Sequence, residues 1–280
     1  MKNYKNDSFN LHFQSSAKAK AKNLYLWFYQ AFLQQKKHRP NIQFLYGHHL
    51  FSDEVQGLKT ITRYLQENYK IISYSQAIER LQTGAIDDCY ICFSFDDGML
   101  NNQRIADYFA QVGISAMFFI NPKVVEEANN EAFTANHSKT RLNKQPLDFM
   151  GWKEIEVVQK LGHEIGNHTL SHVDLGENSM TDRLTDEISM AKEMLEKRCG
   201  TIEHFAWPYG LRKNITLEAF NTIINTGHTS VASAIRGQHF NKVELDKEFV
   251  LRDQLVYKEP LYFFRYFYNM NNQNPVPSNI

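Results

Sequence analysis

The 280-residue chain has only three cysteines, too few for a disulfide-dense secreted scaffold. Two of them, Cys89 and Cys92, form a C-x-x-C around Tyr90-Ile91. That run is strand-like, and residues three apart on a strand point to opposite faces, which argues against a shared metal or redox pair and for core packing. Long apolar runs are also missing: no stretch reaches the roughly 18 residues of a membrane-crossing helix. The longest candidate, Leu24–Leu33, comes late, is interrupted by Gln30 and leads into Gln34-Gln35-Lys36-Lys37-His38-Arg39. A small-residue cleavage site does not follow, so no signal peptide is expected. Net charge is lacking as well: 31 basic residues meet 31 acidic ones, and no overall field points to a nucleic-acid partner. No internal repeat is visible.

With 42% hydrophobic and 13% aromatic residues, the chain has the means to bury a full core. Its charge is unevenly spread. Residues 1–40 hold Lys2, Lys5, Lys18, Lys20, Lys22, Lys36, Lys37 and Arg39 against one acid, Asp7. They form a basic N-terminal extension whose aromatic stretch reads as a helix, ahead of a net acidic body. Residues 18–39 resemble an interfacial helix suited to peripheral contact with anionic membrane, and a helix packed on the body with its charges solvated is the competing reading. Together with the cysteine usage, this favours a cytoplasmic setting, with possible attachment at the inner face of the membrane. Residues 269–280 are Asn/Pro-rich and read as a flexible tail.

From about residue 41 to 268 short apolar runs alternate with amphipathic segments. Strands are expected at Gln43–Tyr46, Ile71–Ser73, Tyr90–Phe95, Ala116–Ile120, His163–Asn167, His204–Trp207, Ser230–Ser233 and Phe249–Leu251. Helices are expected at Val55–Asn68, Ser75–Leu81, Asn101–Gln111, Trp152–Leu161, Thr181–Arg198 and Thr216–Asn225. This alternation implies an α/β fold with a parallel sheet, and seven or eight units favour a distorted (β/α) barrel over an open sheet. Segment 126–148 is Asn/Lys/Thr-rich, breaks the rhythm and reads as a surface insertion.

In such a barrel, functional side chains follow the C-terminal ends of the strands. That rule collects Gly47-His48-His49, Asp96-Asp97-Gly98, His168-Thr169-Leu170-Ser171-His172 and Pro208-Tyr209-Gly210. Each is weak alone, since Asp-Asp-Gly is a common turn and paired histidines arise by chance. Together, one carboxylate and two imidazoles suit a catalytic zinc site with an open position for water.

With these motifs the chain resembles the polysaccharide deacetylases of the NodB type, carbohydrate esterase family 4. Ser94-Phe95-Asp96-Asp97-Gly98 matches the first motif of the family, His168–His172 within GHEIGNHTLSH the second, and Ala206-Trp207-Pro208-Tyr209-Gly210 the third except at its first position. The resemblance implies a NodB-type distorted (β/α)7-8 barrel and metal-dependent hydrolysis of N-acetyl groups on amino sugars. Its substrate would be an acetylated polysaccharide or lipid-linked glycan, as in modification of the cell envelope. It further implies Asp97, His168 and His172 as ligands of Zn2+ or another divalent transition metal, Asp96 as general base, and the Tyr209 backbone N–H as oxyanion donor. Trp207, Pro208 and His49 are candidate substrate contacts.

Two departures stand out. The third motif usually opens with an Arg that orients the catalytic Asp, and this chain has Ala206. Arg252 is a possible substitute from another strand, as in the poly-N-acetylglucosamine deacetylase subset, with a surface ion pair as the plain alternative. The family's C-terminal acid histidine is also missing. That same rearranged subset carries its acid histidine before the Asp-Asp-Gly motif in an L-x-Y-H segment, and Leu45-Tyr46-Gly47-His48 matches with Gly47 replacing Tyr. His48 is the expected acid and His49 the runner-up. Because the fold hosts several acyl hydrolyses, an O-acetyl esterase or non-sugar amidase remains the alternative enzyme. The departures also leave open a non-catalytic carbohydrate-binding module, for which the missing Arg is the main argument.

Overall fold

The computed structural model describes residues 39–177, 182–262 and 264–265. The expected N-terminal helix and the tail at 269–280 lie outside the described residues. Eight strands share one sheet: β1 (Asn41–Gly47), β2 (Lys70–Ile71), β3 (Cys89–Phe95), β4 (Met117–Ile120), β5 (Glu164–Asn167), β6 (His204–Ala206), β7 (Ser230–Ala232) and β8 (Arg252–Gln254). Their order is β7-β6-β5-β4-β3-β1-β8, with β2 paired to the start of β3, and every pairing between strands is parallel. The two ends of this path meet. Ala232 bridges Val250, the Val250 N–H donates to Val231 O at 2.8 Å, and the Ser233 N–H donates to Val250 O at 2.9 Å. The result is a nearly closed parallel barrel, as the alternating pattern implied.

The helices are α1 (Val55–Asn68), α2 (Tyr74–Thr83), α3 (Gln103–Gln111), α4 (Pro122–Glu126), α5 (Glu131–Thr140), α6 (Trp152–Lys160), α7 (Ala191–Cys199) and α8 (Leu217–Asn225). Capping fixes several starts: Ser73 accepts from the Gln76 N–H, Asn130 from Phe133 and Thr216 from Ala219. The last strand differs from expectation. Val250 makes the bridge to β7, but the regular run is Arg252–Gln254, because β1 pairs with those residues. The helix expected from residue 181 is regular only from Ala191, after a wide turn at Asp186–Met190.

Strand side chains are buried on both faces, as parallel barrels require. Ile42, Phe44, Tyr90, Cys92, Met117, Phe119, Ala206, Ala232 and Val250 form one cluster within the barrel. Leu45, Ile91, Phe93, Phe95, Phe118 and Ile165 form another with Leu58, Ile61, Leu65, Ile105, Phe109 and Ile155 of the surrounding helices. Cys89 and Cys92 pack against different clusters, as their spacing predicted. The interior leaves little room. A Cβ on Gly166 of β5 would come within 2.5 Å of the Phe119 ring.

Segment 126–148 holds α5 and folds onto the barrel mouth. Its Phe133, Leu142 and Leu147, with Phe149, pack against Phe51 and Met99 from the loops after β1 and β3 and against Val124 of α4. The chain then returns past the Asp-Asp-Gly turn. Leu100 N–H donates to Asp148 O at 2.8 Å, and Met150 N–H to Gly98 O at 2.9 Å. Among the described residues, no helix is long and apolar enough to cross a membrane.

Candidate active site

The C-terminal ends of β1, β3, β5 and β6 bring their loops to one mouth. Asp96 extends β3, its N–H donating to Gly47 O at 2.9 Å, and its carboxylate is 3% exposed. Arg252, fully buried at the start of β8, grips it in bidentate fashion: both Nη1–Oδ1 and Nη2–Oδ2 are 2.9 Å. The same guanidinium donates to Ser94 Oγ at 3.1 Å and to Ser233 O, and lies 4.7 Å from the Tyr46 ring centroid. The reading of Arg252 as a surface ion pair is therefore set aside. Burial pushes the Asp96 carboxyl up, but Arg252 and then His168 outweigh it and hold it below its ordinary value.

Asp97 turns away. Its φ of 72° and that of Gly98, 66°, reverse the chain and aim the carboxylate at the loop after β5. Asp97 Oδ1 lies 3.1 Å from His172 Nε2 and 3.4 Å from His168 Nε2, and candidate ligand atoms of all three residues lie within 4.8 Å of one another. Among the described residues this is the one such cluster with three potential ligands. Four of the five described non-glycine residues with left-handed φ are at this mouth: Asp97, Thr169, His172 and Tyr209. Such backbone is costly and persists where surrounding structure enforces it.

The enforcement is visible around the β5 loop. Asn121 donates through Nδ2 to the His168 and Thr169 carbonyls, and the Thr169 N–H donates to Asn167 Oδ1 at 3.0 Å. Glu187, 1% exposed, accepts from the Ser171 N–H at 3.0 Å and from its hydroxyl at 2.8 Å. The His168 Nδ1 is 2.7 Å from Ala206 O; a carbonyl only accepts, so Nδ1 carries the proton and Nε2 presents a lone pair. Among the described residues, Asp97 Oδ1 is buried with no hydrogen-bond donor. A carboxylate oxygen without a donor facing two imidazole nitrogens is a donor set that fits a divalent cation with an open coordination position.

The two imidazoles differ electrostatically. Burial lowers both, but Asp97 and Asp96 lift His168 above its ordinary value, whereas His172 stays below it. Asp97 is pushed up by burial and pulled well below the carboxylate range by His168 and His172. His48 stands at the same mouth, edge-on to Tyr46 with centroids 5.5 Å apart, and its charge acts on Asp96, Asp97 and His172. His49 turns toward Phe51 and Glu54, its Nε2 3.7 Å from Glu54 Oε2. Burial, then Lys144 and His48, hold it to about 3.

At the β6 loop, Tyr209 takes a φ of 63° and Gly210 one of 66°; a Cβ on Gly210 would sit 2.3 Å from Ala234 Cβ. The Tyr209 ring is 43% exposed, stands edge-on to His172 at 5.0 Å, and donates its hydroxyl to Arg141 O at 3.0 Å. Trp207 is a correction to the expected sugar contact. It is 1% exposed, packs edge-on to Phe249 and donates Nε1–H to Leu211 O at 3.1 Å, so it supports the turn from beneath. Pro208 is buried beside it, and Tyr209 is the exposed member of the three.

Sequence reasoning missed Asn121, Glu187 and His137. Asn121 directly follows the Phe118-Phe119-Ile120 run, a strand-end position open to inspection. Glu187 sits in an amphipathic stretch where nothing distinguishes it from a solvated acid. His137, on α5, is 5% exposed and its ring lies 6.1 Å from that of His172.

A parallel barrel whose strand ends gather one carboxylate, two imidazoles and a second, Arg-held carboxylate has the makings of a hydrolase. The model of the polysaccharide deacetylase family matches residues 84–226, and the chain belongs to that family. Solved structures share the fold at low identity. The Streptococcus pyogenes deacetylase PplD in complex with acetate aligns with a TM-score of 0.63 and 14% identity over 80% of this chain and 97% of that one. IcaB from Ammonifex degensii gives 0.59 and 16% over 79% and 94%. A de-N-acetylase from Aggregatibacter actinomycetemcomitans gives 0.62 and 14% over 81% and 99%. No curated protein sequence matches.

The buried pair generates a stability prediction with a definite sign. Asp96 titrates below its unfolded value, so its contribution is present above the ordinary carboxylate range and is lost as pH falls through the lower folded value. Replacing Arg252 by Met leaves the buried carboxylate without its main partner and should cost about 3–5 kcal/mol at neutral pH. On acidification into the ordinary carboxylate range the variant's Asp96, raised by burial and no longer held by Arg252, takes up a proton, so its deficit relative to the parent should narrow. Urea midpoints at the two pH values check this, and a deficit that is constant or grows on acidification would contradict it.

Proposed function

We propose that the protein is a metal-dependent N-deacetylase acting on amino sugars of a polysaccharide or lipid-linked glycan, in modification of the cell envelope. The observation that carries this reading is the Asp97–His168–His172 convergence beside an Asp96 held by Arg252. Asp97, His168 and His172 would hold the cation, zinc or another divalent transition metal. When bound, it supplies Lewis acidity to the acetyl carbonyl and the attacking water.

The remaining steps belong to the chain's own residues. Asp96, kept ionised by Arg252, accepts the proton of the attacking water. The Tyr209 backbone N–H, set by its left-handed turn, donates to the oxyanion that develops on the acetyl carbonyl. His48 gives a proton to the departing amine, which is otherwise too poor a leaving group. The low value of His49 supports this choice, because an imidazole titrating at about 3 is neutral near pH 7 and has no proton to give as an imidazolium. His49 and the exposed Tyr209 ring line the approach to the substrate. The missing motif-three Arg no longer favours a decayed binding module, since Arg252 occupies the carboxylate from another strand.

Acetate release from N-acetylated and O-acetylated glycans, assayed side by side, tests the reaction. Preference for the O-acetyl compounds would turn the reading to an esterase. Asp97→Ala, His168→Ala and His172→Ala should each lose zinc and turnover, and Asp96→Asn should keep zinc while losing roughly 10²-fold or more in rate. His48→Ala should keep zinc and lose most of kcat and the basic limb of the pH–rate profile. The same loss in His49→Ala, with His48→Ala active, would shift the acid by one residue.

We also propose that the enzyme is cytoplasmic and that residues 18–39 hold it on anionic lipid. Co-sedimentation with anionic vesicles should disappear when residues 1–40 are removed; binding that survives the deletion ends the idea.

A further inference from the structure

His172 lacks the support that His168 has. His168 donates its Nδ1 proton to Ala206 O, whereas Nδ1 of His172 is buried with no partner among the described residues. An imidazole that offers one nitrogen to a cation carries its proton on the other, and that N–H needs an acceptor to fix tautomer and ring orientation.

The acceptor at hand comes from the segment between β4 and α6. His137 on α5 is 5% exposed, and its ring is set by two neighbours: Phe133 stacks on it at 6.0 Å and 13°, and Phe149 meets it at 5.3 Å and 85°. The His137 and His172 rings lie 6.1 Å apart at 83°. Nε2 of His137 is likewise buried and unpartnered among the described residues. Two adjacent buried imidazoles thus carry one unsatisfied nitrogen each, an expensive arrangement unless the nitrogens serve each other.

We infer that His137 is a positioning residue for His172, accepting its Nδ1–H directly after a small ring rotation or through one water, so that Nε2 of His172 is presented to the cation. This rests on the metal site proposed above. The segment carrying α5 is then part of the metal site: it holds the Asp-Asp-Gly turn through Gly98 and Leu100, the Tyr209 hydroxyl through Arg141 O, and the second histidine through His137.

The test is zinc affinity of the whole chain, measured by competition with a chromophoric chelator. His137→Phe keeps an aromatic stack on Phe133 and removes both nitrogens; His137→Leu is a second apolar variant, and affinity is read on whichever melts as the parent apoprotein does. His137→Gln restores an acceptor. The apolar variant should bind zinc roughly 10–100-fold more weakly, and His137→Gln should recover most of the loss. The d–d spectrum of bound Co2+ should shift in the apolar variant and return in His137→Gln. An apolar variant within about twofold of the parent, or a His137→Gln no better than it, would overturn the assignment and leave the metal site standing. A parent chain that binds no zinc would remove the metal site and this inference together.

Discussion

The pairing of Asp96 with Arg252 is the constraint on which the mouth of the barrel depends. A carboxylate and a guanidinium buried this deeply cost several kcal/mol each to desolvate, and they persist only with near-ideal geometry and additional hydrogen bonds. Both conditions are met. Two parallel hydrogen bonds join the groups, Ser94 Oγ and Ser233 O accept two more from the guanidinium, and the Tyr46 ring lies 4.7 Å from it. The pair ties β8 to β3 across the barrel and to the end of β7, where the ring of strands closes.

The neighbouring carboxylate follows from that anchoring. With Asp96 committed to Arg252, the next residue has to leave the strand, and the left-handed turn at Asp97-Gly98 sends its carboxylate to the β5 loop. Adjacent acids are thereby given different surroundings: one faces a fixed cation, the other two imidazoles. In the function proposed, this separation would fit one for proton transfer and the other for holding a metal ion. The loops then lock the arrangement from outside, with Glu187 and Asn121 on the histidine loop and the α5 segment over the Asp-Asp-Gly turn.

Much of this is legible in the sequence because it is local. Alternating apolar runs mark the strands and amphipathic stretches mark the helices. The Asp-Asp-Gly, H-x-x-x-H and Pro-Tyr-Gly motifs each end a strand, where barrel chemistry belongs. What escapes is what depends on distant pairing. Arg252 meets Asp96 across 156 residues, so its sequence context allowed a surface ion pair equally well. Trp207 looks like a sugar platform beside Pro-Tyr-Gly until Phe249 is found packed against it. The α5 segment reads as polar because its few apolar residues, Phe133, Leu142 and Leu147, are widely spaced, and only the fold gathers them with Phe51 and Met99. His137 lies within that segment, where a histidine among Asn, Ser and Lys gives no sign of burial.

The central claim is that Arg252 replaces the usual motif-three arginine and keeps Asp96 competent as a base. The most direct measurement is the rate of acetate release from an N-acetylated glycan by Arg252→Ala, recorded together with zinc bound per chain. With both proteins saturated with zinc, the rate per bound zinc should fall by about a hundredfold or more in the variant. An unchanged rate per bound zinc would contradict the account.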